Sequence, residues 1–178
     1  MYERAMGDEF HRLDAAVQRF HRLAGKHELE GRVETIAPRS VIGKLLALCL
    51  GTPRRSQQGP IRFELDASPA AETWVRHFPG KVMASNFRPQ GREIIESLGA
   101  ARLAFELHER DGALVMRLLR MHFIGIPCPR WLMPRIVAEE RGRHDRLDFA
   151  VSASVRLVGK VADYRGHLVL PSATAVAR

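Results

Sequence analysis

From Gly59 to Leu170 the chain alternates apolar and polar residues with a period close to two, and this feature restricts its fold more than any other. The clearest run is 147–157, where Leu147, Phe149, Val151, Ala153, Val155 and Leu157 share one face, and Asp148, Ala150, Ser152, Ser154 and Arg156 the other. Successive side chains of a strand point to opposite faces, so such a run is a strand with one side buried. The period recurs at Ile61, Phe63 and Leu65, at Trp74, Arg76 and Phe78, and in 81–87, 93–98, 102–109 and 160–170. Pro69, Pro79-Gly80 and Asp111-Gly112 separate the runs, the last being a two-residue hairpin signal. A long antiparallel meander curls or closes so that its edges do not stay exposed. The expected fold is therefore α+β, mainly antiparallel β: a strongly curved meander sheet or barrel of about 8–9 strands with two N-terminal helical segments.

The segments outside the meander read differently. Tyr2, Met6, Phe10, Leu13, Val17 and Phe20 recur at steps of three and four, which predicts helix over 1–24 with Asp8 and Asp14 as candidate caps. In 27–36 a strand is expected, with Leu29, Gly31 and Val33 opposing Glu28, Glu30, Arg32 and Glu34. A helix follows over 40–50, capped by Ser40 and stopped at Gly51-Thr52-Pro53. The antiparallel meander occupies 59–170, and the small residues of 171–178 are expected to fray. At 178 residues and 20.1 kDa, residues 1–178 fit one domain that can bury a core without a staple.

Several function classes are excluded by what the chain carries. The net charge of +8 raises nucleic acid as a partner, but residues 1–60, 61–120 and 121–178 balance at 10 − 7 = +3, 9 − 8 = +1 and 9 − 5 = +4. Charge so evenly spread along the chain, without interleaved aromatics, is not a nucleic-acid footprint. Cys49 and Cys128 are far apart and lack C-x-x-C spacing, which argues against a disulfide framework or zinc site and fits a cytoplasmic location. The opening MYERAMGDEFHR is too charged for a secretory signal, and no apolar run approaches the ~20 residues of a membrane span. G-x-S-x-G, P-loop, G-x-G-x-x-G and H-E-x-x-H motifs are all missing, and no metal or cofactor is expected.

What remains is a constellation of candidate ligand-binding residues. The strand 113–124 is apolar on both faces, as a barrel strand covered outside and facing a cavity inside would be. Read as regular, it puts Arg120 and His122 on one face near its end, where they could hold the polar end of an apolar ligand or simply reach solvent. The segment 125-GIPCPRWLMPR-135 stops that strand, because Pro127 and Pro129 cannot donate to a ladder, and makes a corner at which Trp131 could roof a pocket. Trp74, Arg76, Glu106, Tyr164 and Arg165 complete the set of candidates.

The opening Tyr2-x-Arg4, Arg19-Phe20-His21, 74-WVRHF-78, 125-GIPCPRWLMPR-135, Phe149, Gly159 and 164-YRG-166 together resemble the bacterial family named as domain of unknown function 4166. Members of that family stand alone or are appended to saccharopine-dehydrogenase-like NAD(P)-binding domains. The resemblance thus implies an oxidoreductase as a possible partner and carries no activity with it. Three readings follow: a module binding a small apolar or lipid-like molecule in an internal cavity, a cofactor-independent isomerase, cyclase or hydrolase using His122 with Arg120 or Glu106 there, or an interaction module acting with an NAD(P)-dependent oxidoreductase.

Overall fold

Alternation of this kind leaves one polar and one apolar face on every strand, and a ring of strands buries all the apolar faces at once. In a computed structural model that describes residues 1–171, the chain forms that ring. Its strands are β1 (Gly25–Thr35), β2 (Gln57–Ala67), β3 (Glu72–Phe78), β4 (Lys81–Gln90), β5 (Glu93–Leu98), β6 (Ala101–Arg110), β7 (Ala113–Phe123), β8 (Ile126–Pro127), β9 (Arg135–Arg143), β10 (Arg146–Val155) and β11 (Gly159–Val169). Each pairs antiparallel with its neighbours, β1 with β11 and β7 with β9, so ten strands close and the two-residue β8 adds to β7 outside the ring. The expected frayed tail lies outside the described residues except for Pro171.

The expected count of 8–9 strands was low, and one inward residue explains it. Strand β9 points Ile136, Ala138 and Glu140 inward, and a buried glutamate in that row breaks the apolar alternation by which a strand is recognised. The extra width matters: eight strands leave an interior that side chains can just fill, and diameter grows with strand number.

Strand β7 departs from its period as well. Its pairing with β6 shifts between Ala104, opposite Arg120, and Phe105, opposite Leu118, so Leu119 is the extra residue of a bulge. A bulge reverses which residues face the core. Leu114, Met116 and Leu118 pack inward before it, and Met121 and Phe123 after it, which turns Arg120 and His122 to the outside.

Helical segments close one end of the barrel. Helix α1 (Tyr2–Met6), a 3-10 turn (Gly7–Arg12) and α2 (Ala15–Arg22) bury Tyr2, Met6, Phe10, Val17 and Phe20 in its bottom. Asp14, expected as a helix cap, instead fastens this plug to two hairpins. Its backbone N–H donates to the Gly112 carbonyl at 2.8 Å and its carboxylate accepts from the Gly142 N–H at 3.0 Å. At the opposite end α3 (Val41–Leu50) begins at Ser40, whose hydroxyl caps the Gly43 N–H, and ends at Gly51 with φ +72°. Ser40 also donates to the Val158 carbonyl at 2.7 Å, which ties the helix to the β10–β11 turn. Only Gly43 and Ala47 of α3 are buried, so its apolar side chains cover the barrel mouth incompletely.

Candidate functional site

Within the ring lies a cavity of about 310 Å³ that reaches from α3 and the β7–β9 connection down to Trp74, Glu96 and Glu140. Its upper walls are carbon: Leu46 from α3, Leu98, Phe105, Met121 and Phe123 from β5 to β7, and Ile136 from β9. Ile42 and Leu132 line it while remaining exposed, so they mark its rim.

The floor is polar, because four inward positions of otherwise apolar strand faces carry Arg76, Ser85, Glu96 and Glu140. Arg76 is buried, donates to the Ser85 hydroxyl at 3.0 Å and lies 4.9 Å from the Trp74 ring centroid. Glu96 stands opposite the inward Phe87 and Leu103. Burial pushes its carboxyl above the usual range, while Arg76 and the Ser85 hydroxyl pull it back. Glu140 takes a 2.7 Å hydrogen bond from His21 of the plug, whose ring packs at a tilt against Tyr2, 3.8 Å between centroids. Tyr164 is buried beside this group. Burial, with Glu96 and Glu140 adding and Arg76 opposing, pushes its phenol up to about 12, so it stays a hydrogen-bond donor through the neutral range.

Below them Glu72 accepts from the Trp74 indole N–H at 2.9 Å. Desolvation raises its carboxyl against the pull of His21 and the indole. A carboxylate raised in the folded state binds more protons there than in the unfolded chain, so its contribution to stability falls as pH rises from the unfolded value, near 4.5, through the folded one. Glu72→Gln keeps an acceptor for the indole and removes the charge. Thermal melts should show Glu72→Gln gaining stability over the wild type as pH goes from 4 to 7, an order of ~1 kcal/mol or more; parallel pH profiles would refute this.

The family model for the domain of unknown function DUF4166 matches residues 13–168, nearly the whole barrel together with helix α2 of the plug. The chain belongs to the DUF4166 family. Its fold is that of a solved structure, the crystal structure of Rv2717c from M. tuberculosis, which it matches with a TM-score of 0.51 at 10% identity, covering 89% of this chain and 99% of that one. No curated protein matches the DUF4166 chain by sequence. No helix among its described residues is long and apolar enough to cross a membrane.

The DUF4166 barrel brings together only some of the residues that the sequence suggested. Trp74, Arg76 and Tyr164 line the cavity. Arg120 and His122 do not: both face an outer hollow, with Arg120 gripping Glu93 through both terminal nitrogens. Glu106 points outward to His108 at 2.9 Å, and Arg165 pairs on the surface with Glu34 at 2.8 Å. An enzyme using His122 with Arg120 or Glu106 inside the cavity is thereby corrected, because the bulge and the strand parity put all three outside. Trp131 is 73% exposed and does not roof the pocket, a position that Leu132 and Pro134 of the same segment take. The candidate set read from the sequence leaves out His21, Glu72, Glu96 and Glu140. Glu96 and Glu140 could have been found as carboxylates in step with inward apolar neighbours, Ile94 with Leu98 and Ile136 with Ala138.

Proposed function

We propose that this protein binds a small amphipathic molecule, its apolar body in the barrel cavity and a hydrogen-bonding head group on the polar floor. The observation that carries the reading is the cavity itself: about 310 Å³ of carbon-lined space in a ring otherwise packed with side chains. That volume is at the small end of the ~300–1,000 Å³ typical of ligand sites, which combine apolar walls with a few placed polar groups. The floor supports a head group of particular charge. Glu96 and Glu140 line it with Arg76 as the cation, His21 stands behind Glu140, and Tyr164 offers a neutral donor. An uncharged or cationic head group, such as an alcohol, ketone or amine, suits this surplus of carboxylates better than an anionic one.

Titration of delipidated protein with the neutral probe N-phenyl-1-naphthylamine tests the reading. Saturable fluorescence is expected, displaced by a medium-chain alcohol or amine more readily than by the matching carboxylate. Ala138 lines the cavity between Met116 and Val151 on the neighbouring strands, so Ala138→Phe should fill it. Probe affinity should then fall at least tenfold, for a stability cost of ~1–3 kcal/mol. Probe binding that is absent in the wild type, or unchanged in Ala138→Phe, would remove the proposal.

A further inference from the structure

Charge that is evenly spread along the sequence is separated in space. Antiparallel strands send alternate connections to opposite ends. The connections at the cavity mouth, residues 36–56, 79–80, 99–100, 124–134 and 156–158, carry Arg39, Lys44, Arg54, Arg55, Arg130 and Arg156 and no Asp or Glu. All six side chains are exposed. The plugged end mixes signs, with Glu3, Asp8, Glu9, Asp14, Asp111 and Asp145 among its basic residues.

The same end collects the exposed hydrophobic side chains. Among the described residues, every large one left exposed lies in or beside a mouth connection, except Val82, Val137 and Val169. Leu157 is fully exposed, and Val41 and Trp131 largely so. Two of these residues occupy turn positions where a branched side chain is disfavoured: Ile124 has φ +51° and Leu157 φ +68°. At the plugged end the corresponding positive-φ positions hold Asp111 and His144, polar residues of the kind such turns ordinarily take.

We infer that the open end of the barrel docks on an anionic lipid bilayer, with Trp131, Leu157 and the exposed face of α3 entering the interface and the arginines meeting headgroup phosphates. Apolar side chains flanked by cations are the footprint of interfacial binding, in which the apolar groups sink ~5–10 Å and each basic residue adds electrostatic attraction. The barrel wall is unsuited to lipid, since its outer face carries Glu28, Arg62 and Glu64 in ion pairs. A symmetric dimer through this end would set like charges against like. Docking points the cavity mouth at the hydrocarbon, the phase in which an apolar ligand is dissolved. The surface residues that carry this inference lie outside the cavity floor, so it stands or falls separately from ligand binding.

Flotation with vesicles of phosphatidylcholine, and with vesicles of equal parts phosphatidylcholine and phosphatidylserine, tests it. The protein is expected to float with the anionic vesicles, more weakly as salt rises, and to show a blue shift of tryptophan emission quenched by brominated acyl chains. Trp131→Ser should abolish the shift, because Trp74 is already buried. Arg130→Gln and Arg156→Gln should each lower vesicle affinity about fivefold while leaving N-phenyl-1-naphthylamine binding and the melting temperature in place. The inference is overturned if the protein floats with neither vesicle, if it floats equally with both, or if it forms a dimer that Trp131→Ser dissociates.

Discussion

Gly31→Ala is expected to cost about 3 kcal/mol or more, a large part of the ~5–15 kcal/mol by which a domain is ordinarily stable. Gly31 lies where the first strand meets the last, opposite Leu168. A Cβ there would stand 1.8 Å from the backbone carbonyl oxygen of His167. The same crowding recurs two residues along the seam, where a Cβ on Gly166 would stand 2.1 Å from the Arg32 carbonyl oxygen. Overpacking against side chains costs ~1–3 kcal/mol because rotamers yield. Here only the ladder of five paired residues that closes the barrel can yield. Gly59→Ala is the control: its Cβ would meet only the Pro79 ring, at 2.8 Å, and the cost should be smaller. Urea denaturation of both variants, with hydrogen exchange read in β1 and β11, decides it. Equal stability of the two would show that the seam does not depend on Gly31.

The barrel was legible in the sequence wherever its strands keep an unbroken period. In 72–78 the residues assigned to one face all turn inward in the ring, and in 147–157 those from Leu147 to Val155 do, whereas Leu157 lies in the turn beyond β10 and is fully exposed. Closure was less legible, since the β1–β11 pairing joins residues more than a hundred positions apart and rests on two glycines that the alternation pattern treats as gaps. The segment 125–135 behaves as the corner its prolines predict, apart from the two-residue β8.

The site was legible in proportion to the same regularity. Trp74, Arg76 and Tyr164 sit on unbulged stretches, and their inward direction follows from counting. Arg120 and His122 lie beyond the bulge at Leu119, where counting from Leu114 gives the opposite face. A bulge is a single extra residue among apolar neighbours, with no composition of its own to announce it. Glu140 shows a different obstacle, because a charged residue at an inward position weakens the pattern that would have placed it.

Arg76→Leu carries the other large expected effect, a loss of about 3–5 kcal/mol, the usual consequence of leaving a buried carboxylate without its compensating cation. The guanidinium is the cation that draws the Glu96 carboxyl down, and it also donates to Ser85 and lies over Trp74. Without it Glu96 is a lone buried carboxylate, raised further by desolvation. Raising a folded-state carboxyl widens the interval above the unfolded value over which stability falls with rising pH. The deficit of Arg76→Leu should accordingly be small near pH 4, where Glu96 is protonated in both states, and should grow toward neutrality. Combining it with Glu96→Leu removes both charges, and a buried pair replaced by apolar groups is often neutral or stabilising. The double variant should recover most of the loss, giving a coupling in the ~0.5–3 kcal/mol range for residues in one hydrogen-bond network, here through Ser85, or above it. An additive cycle, or a deficit independent of pH, would mean that Arg76 stabilises the barrel through packing on Trp74 alone. With the floor made apolar, the double variant should still take up N-phenyl-1-naphthylamine. It should also lose part of the preference for alcohol or amine over carboxylate, which assigns the head-group selection to these two side chains.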